Sequence, residues 1–144
     1  MGAKENLEAI EQLQQAARDQ DVDRYGELLA DDATFRMAGV PEGLGGVLRG
    51  REAIVEQLRR AGGESTFEVK QMFGDDRNVC VVGKVAAPRF IGSEHLRGED
   101  RPYSTYECIV YRMAGGKVAE STTYTNWLDA YVQLGLVDLS SLSR

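Results

Sequence analysis

Glu107 is the side chain in this sequence best placed to do chemistry. It lies in Tyr106-Glu107-Cys108-Ile109-Val110-Tyr111, where a two-residue period puts it on one strand face with Ile109 and Tyr111. A carboxyl held among such neighbours should stay protonated above the usual glutamate range, because burial disfavours the charged form. It would then offer a proton or a hydrogen bond at neutral pH. The competing reading leaves Glu107 at the solvent or paired with Arg36 or Arg112. Farther along, Glu120, Thr122, Tyr124 and Asn126 alternate with Ser121, Thr123 and Thr125, and one of these rows must face inward. The even row would bring neutral hydrogen-bonding groups, Tyr124 and Asn126, to a ligand carbonyl, with Glu120 beside them. The odd row would present small hydroxyls, Thr123 among them. Trp127 and Tyr131 read first as packing for the tail, and Trp127 second as a ligand contact.

Other chemistries find little support. His95 is the sole histidine, too few for a zinc site built on the usual three or four ligands and poorly placed for a Ser-His-Asp triad. Cys80 and Cys108 each sit in an apolar run and read as reduced, small hydrophobes; a disulfide stays open, because sequence does not give their separation. The glycines of Gly43-Leu44-Gly45-Gly46-Val47-Leu48-Arg49-Gly50 lack the Gly-Lys-Ser/Thr ending of a phosphate loop and read instead as a flexible pocket rim. The charged run from Ser93 to Arg101 is either a lid or a solvated loop.

The chain has 144 residues, enough for one domain and too few for two ordinary ones. Its 42% hydrophobic and 28% charged residues are a normal globular balance. With 17 basic against 23 acidic side chains the net charge is -6, which argues against a nucleic-acid partner, since phosphate backbones are met by clustered Lys and Arg. No stretch approaches the roughly 20 apolar residues of a membrane span. The start carries no apolar signal core, and Asn6 stands where a myristoylation pattern wants Ser or Thr. These features set the expectation of a cytoplasmic protein with no membrane partner.

Positioning elements follow from the hydrophobic period. Leu7, Ile10, Leu13 and Ala17 recur at helical spacing, and Asp21 or Asp23 can cap a second helix through Tyr25, Leu28 and Leu29. Ala33–Met37 has a strand's content. The loop 38–50 holds five glycines and Pro41, which should preclude a regular element. Arg51–Ala61 returns to helix and Gly62-Gly63 ends it. Phe67, Val69, Gln71 and Phe73 then share one strand face, with Thr66, Glu68, Lys70 and Met72 on the other. Val79–Ala87 is apolar enough to be buried on both faces, and Tyr103–Met113 with Lys117–Trp127 forms a hairpin about Ala114-Gly115-Gly116. Helices gathered early and antiparallel strands gathered late describe an α+β fold.

Three segments, Leu28-Leu29-Ala30-Asp31-Asp32-Ala33-Thr34-Phe35, Gly50-Arg51-Glu52-Ala53-Ile54 and Gly116-Lys117-Val118-Ala119-Glu120, together resemble the SnoaL-like branch of the nuclear transport factor 2-like superfamily. That branch includes ketosteroid isomerases, polyketide cyclases and epoxide-opening cyclases. The resemblance spans nearly the whole chain and implies a single domain, 1–144. It further implies a cone in which a curved antiparallel sheet wraps the N-terminal helices, a homodimer, and an apolar cavity at the open end that needs no cofactor or metal. Arg101–Cys108 and Tyr124–Asp129 look more like the cyclases of bacterial polyketide pathways than like the steroid isomerases.

The departures from that family narrow the chemistry. Where the isomerases carry a proton-abstracting Asp this chain has Met37, and where they carry an oxyanion-binding Tyr it has about Leu13. The acid/base Asp of aldol-type cyclases falls at Thr123, and the first Asp of the epoxide openers at Met37 or Ala38. A cavity-facing Asp of the isomerases lies near Glu107. The strand readings and the resemblance together leave Glu107, Tyr124, Asn126 and Thr123 as the catalytic candidates. Leu13, Phe35, Met37, Phe67, Ile109, Tyr111 and Trp127 are the candidates for binding a small apolar polyketide-like substrate. The expected activity is intramolecular ring closure, by cycloaddition or conjugate addition, in antibiotic-type secondary metabolism. Epoxide opening, with Glu107 and Glu120 or Glu64 as acids, is one alternative, and a non-catalytic ligand-binding or accessory protein of the same fold is the other.

Overall fold

A computed structural model describes residues 2–89 and 101–142. His95 and most of the run read as a lid lie outside these residues. Helix α1 (Ala3–Arg18) opens with the Glu5 carboxylate accepting from the Gly2 N–H at 3.1 Å and buries Ile10, Leu13 and Ala16 along one stripe. Asp21 caps the short α2 (Val22–Glu27), its Oδ1 accepting from the Arg24 N–H, as such a residue does for the first free amides of a helix. After strand β1 (Leu29–Ala38), the glycine-rich loop holds a 3₁₀ turn at Glu42–Leu44 and a three-residue strand, β2 (Val47–Arg49). That small strand corrects the expectation of an unstructured loop: Val47, Leu48 and Arg49 pair with Arg36, Phe35 and Thr34 of β1. Helix α3 (Arg51–Ala61) ends where Gly62 turns left-handed, at φ 60°.

Strands β3 (Thr66–Gly74), β4 (Asn78–Ala87), β5 (Tyr103–Ala114) and β6 (Lys117–Thr125) follow in antiparallel sequence. A last helix, α4 (Trp127–Gln133), closes the order. The six strands form one curved, unclosed sheet ordered β2-β1-β6-β5-β4-β3. β1 runs parallel to β6, so the sheet is mixed where a purely antiparallel one was expected. The chain leaves β1 through β2 and α3 for the far edge of the sheet and returns by three antiparallel steps, which brings β6 back in the direction of β1.

One face of this sheet packs on the helices. Ile10 and Leu13 of α1 meet Leu29 and Ala33 of β1, Ile54 of α3, Val79 and Val81 of β4, Ile109, Tyr111 and Met113 of β5, and Val118 of β6. β4 alternates rather than being buried throughout: Val79, Val81, Gly83 and Ala87 are covered, while Cys80, Val82 and Lys84 are half-covered on the outer face. On β3 the strict alternation fails. Val69 pairs with Gly83 and Gln71 with Val82, so Lys70 is an extra residue, a bulge that exchanges the faces beyond it. Met72 therefore packs on the core and Phe73 is 51% exposed. Phe67 lies across Gly83, where an added Cβ would come within 2.4 Å of its ring.

Candidate active site

Toward one end of the sheet the core gives way to a cavity of about 250 Å³. Parity decides its wall. Ser121 of β6 is 2% exposed, and Thr123 and Thr125, in the same row, line the hollow with Phe35 and Met37 of β1 and Tyr103 and Glu107 of β5. Gln57 and Ala61 of α3, Leu48 of β2, Val85 and Ala87 of β4, and Trp127 at the start of α4 complete most of it. Among the described lining residues Glu107 is the only carboxylic acid.

Glu107 and Thr125 are register partners across β5 and β6, and the Thr125 hydroxyl donates to Glu107 Oε2 at 2.9 Å. Burial pushes the Glu107 carboxyl above its ordinary value, and the Thr125 hydrogen bond opposes that rise without cancelling it. The Tyr103 phenol is raised too, by burial first and then by the nearby Glu107 charge. The upward shift favours the protonated carboxyl, which can donate a hydrogen bond as well as accept one.

This arrangement has a consequence for stability. The folded-state pKa lies above the unfolded value, so the stability tied to the Glu107 proton is fully present below the ordinary glutamate pKa. It is lost as the pH rises through the elevated one. Glu107→Gln has no proton to lose. Thermal melts across pH should show the variant gaining on the parent protein as the pH climbs through that window. Parallel melting curves at every pH would contradict the burial of an ionisable Glu107.

Several expected site residues lie elsewhere. Tyr124 is 53% exposed on the outer sheet face, because Thr123 and Thr125 take the inward direction. Asn126 follows the last residue of β6, where its Oδ1 caps α4 by accepting from the Asp129 N–H. Leu13, Ile109 and Tyr111 belong to the packed core rather than the cavity. The Tyr111 hydroxyl is already engaged, accepting from Gln14 Nε2 at 2.8 Å. Phe67 packs at the edge of the same core. Arg112 is bound to Glu120 at 3.1 Å, and Glu64 to Arg89 at 2.8 Å, so neither Glu120 nor Glu64 joins Glu107.

Phe35, Met37, Thr123, Glu107 and Trp127 are the expected residues that the fold does bring together. Met37 and Thr123 are neighbours across the parallel pairing of β1 and β6, so the two departures from the related acid/base residues fall side by side on one wall. The Trp127 indole is fixed by donating from Nε1 to the Ala38 carbonyl at 2.7 Å and by stacking on Tyr131, with ring centroids 5.5 Å apart. Gly39 makes room for it, since a Cβ there would lie 2.7 Å from the indole Cδ1.

Thr125 belongs to the odd row, which the sequence offers as one of the two inward faces; Tyr103 was not picked, although it lies four positions from Glu107 on the same strand face. Gln57 and Ala61 carried no such mark, since only docking of α3 on β1 and β2 turns them toward the hollow. Among the described residues no group of His, Cys, Asp and Glu is placed to hold a metal ion.

The curved mixed sheet on helices, with a hollow between them, defines a nuclear transport factor 2-like cone. Within that class the chain belongs to the SnoaL-like domain family, whose model matches residues 10–121. Its fold is similar to that of an M. tuberculosis LEH-like epoxide hydrolase, at 22% identity over 98% of each chain with a TM-score of 0.71. An NTF2-like protein of Burkholderia xenovorans shares 19% identity over 93% of this chain and 98% of its own, with a TM-score of 0.73. A Xanthomonas campestris protein, proposed to be a polyketide cyclase, shares 17% over 92% and 98%, also at 0.73. At these identities the likeness is one of fold. No curated protein matches the sequence.

Proposed function

We propose that this protein is a cofactor-independent cyclase of secondary metabolism that closes a ring within one small, apolar, polyketide-like molecule. The observation that carries the reading is Glu107, the one carboxylic acid among the described lining residues, buried beside Thr125 in a hollow whose wall is more apolar than polar. A pocket furnished this way suits a reaction limited by substrate shape more than by proton transfer. Holding a flexible chain in its reactive conformation removes orientation entropy from the barrier, and a neutral donor on a conjugated carbonyl draws charge toward oxygen as the new bond forms. Cycloaddition and conjugate addition both meet this description. The volume lies just under the about 300–1,000 Å³ common for ligand pockets, which favours a compact product over an extended polycycle. The reading includes a homodimer in the cytoplasm, the first part open to sedimentation analysis.

Epoxide opening is the second reading, supported by the fold shared with the M. tuberculosis epoxide hydrolase. Glu107 would protonate the oxirane oxygen, and a second group would have to activate the nucleophile. Met37 and Thr123 cannot do so. A binding protein without turnover is the third reading. Trp127 is the only tryptophan and lines the cavity, so its fluorescence reports occupancy directly. Incubation with linear conjugated polyketide precursors should change that emission and raise ring closure above the spontaneous rate. Occupancy with only the spontaneous rate would establish the binding reading instead, and conversion confined to epoxides would establish the second.

A further inference from the structure

The outer face of the sheet carries a pair of groups that the cavity does not use. Cys80 on β4 is opposite Val110, and Cys108 on β5 is opposite Val82, so the two cysteines are diagonal neighbours across adjacent antiparallel strands. Both are half-buried free thiols, and their sulfurs lie 3.3 Å apart. Reaching the roughly 2.05 Å of a disulfide asks the sulfurs to close by about 1.3 Å, with the strands shifting to bring the two Cα atoms into bridging range. Burial and the neighbouring sulfur push the Cys80 thiol up to about 11.

We propose that Cys80 and Cys108 form a redox-active dithiol that closes to an intrachain disulfide linking β4 and β5 when it meets a low-molecular-weight disulfide oxidant such as oxidised glutathione. One cysteine thiolate attacks the oxidant's sulfur–sulfur bond, forms a mixed disulfide and releases one glutathione thiolate. The second cysteine, as its thiolate, attacks the protein sulfur of that mixed disulfide and expels the other glutathione. Two protein thiols lose two electrons and two protons, and one oxidised glutathione becomes two reduced ones. The bridge would stand directly behind the catalytic wall: Cys108 follows Glu107 in the chain, and Glu107 is itself the register partner of Gly83 on β4. It would close a loop between cysteines 28 positions apart and so restrict the unfolded chain.

The test uses the full chain equilibrated with oxidised glutathione, then mapped by peptide mass and titrated for thiols in denaturant. The expected result is loss of both thiols and a linked pair of peptides from one chain, with a melting temperature about 5–10 °C higher that dithiothreitol reverses. Cys80→Ser should stop at a glutathione adduct on Cys108 and show no such rise. Stable adducts on both cysteines of the unaltered protein, a crosslink between chains, or two thiols still titrating after equilibration would each overturn the proposal.

Discussion

Glu107→Leu is expected to lower kcat/KM for ring closure by about 10²–10³, the cost of removing one hydrogen-bond donor aimed at developing charge. Glu107→Gln should cost no more than about tenfold, equal to about 1.4 kcal/mol of transition-state stabilisation. The amide keeps a donor in the same place and can still accept from Thr125 through its carbonyl oxygen. It cannot surrender a proton. The pair of variants therefore separates polarisation from acid catalysis. If Gln proves as inactive as Leu, a proton must move, and the epoxide reading takes precedence over the templating one. If Leu retains full activity, the reaction does not use Glu107 at all. Substrate binding read from Trp127 emission should change less than turnover in both variants, because the donor matters most when charge has built up on the substrate oxygen.

Gly46→Ala should have the second large effect, on stability. A Cβ at this position would lie 1.9 Å from the Val40 carbonyl oxygen, 2.8 Å from its carbon and 2.9 Å from the Pro41 oxygen. All three are backbone atoms, so no side-chain rotation relieves the contact. The same loop is pinned by the Gly46 N–H donating to Pro41 and the Met37 N–H donating to Gly46, and it supplies part of the cavity wall. Overpacking of this kind costs about 1–3 kcal/mol. Equilibrium denaturation should show that loss together with weaker ligand binding, because the loop must swing away from β1. Gly43→Ala is the matched control: nothing lies within 4 Å of its added Cβ, and it should stay within about 0.5 kcal/mol of the parent protein. Equal stability of the two variants would mean that the loop is not held as described.

Much of the scaffold was legible in the chain. Arg51–Ala61 reads as a helix because its apolar stripe and the Gly-Gly after it are both local signals, and the helix has those limits. Asp21 or Asp23 announced a cap, which Asp21 supplies, and the hairpin around Ala114-Gly115-Gly116 announced β5 and β6. The α+β class came from the order of local elements, and the placing of Glu107 on an inward strand face from local pattern, one carboxyl beside Ile109 and Tyr111 at two-residue period. β3 shows where such reading fails. A single extra residue, Lys70, reverses inside and outside for everything beyond it, and nothing in the composition of the strand marks the place. The end of β6 fails for a related reason: Asn126 caps a helix instead of continuing the strand.

Outside the bulge of β3, sequence alone determined which residues share a face: Thr123 with Thr125, Glu107 with Ile109 and Tyr111, Tyr124 with Thr122. Only tertiary structure decided what each face meets. Along β5 the same row passes from solid core at Ile109 and Tyr111 to hollow at Glu107 and Tyr103, because α1 covers one part of the sheet while α3, the Gly46 loop and Trp127 enclose the other. Period is a property of backbone geometry and is written locally. Whether a side chain packs or lines a cavity depends on partners far away in the chain, and their distances are set only when the sheet curves and the helices dock.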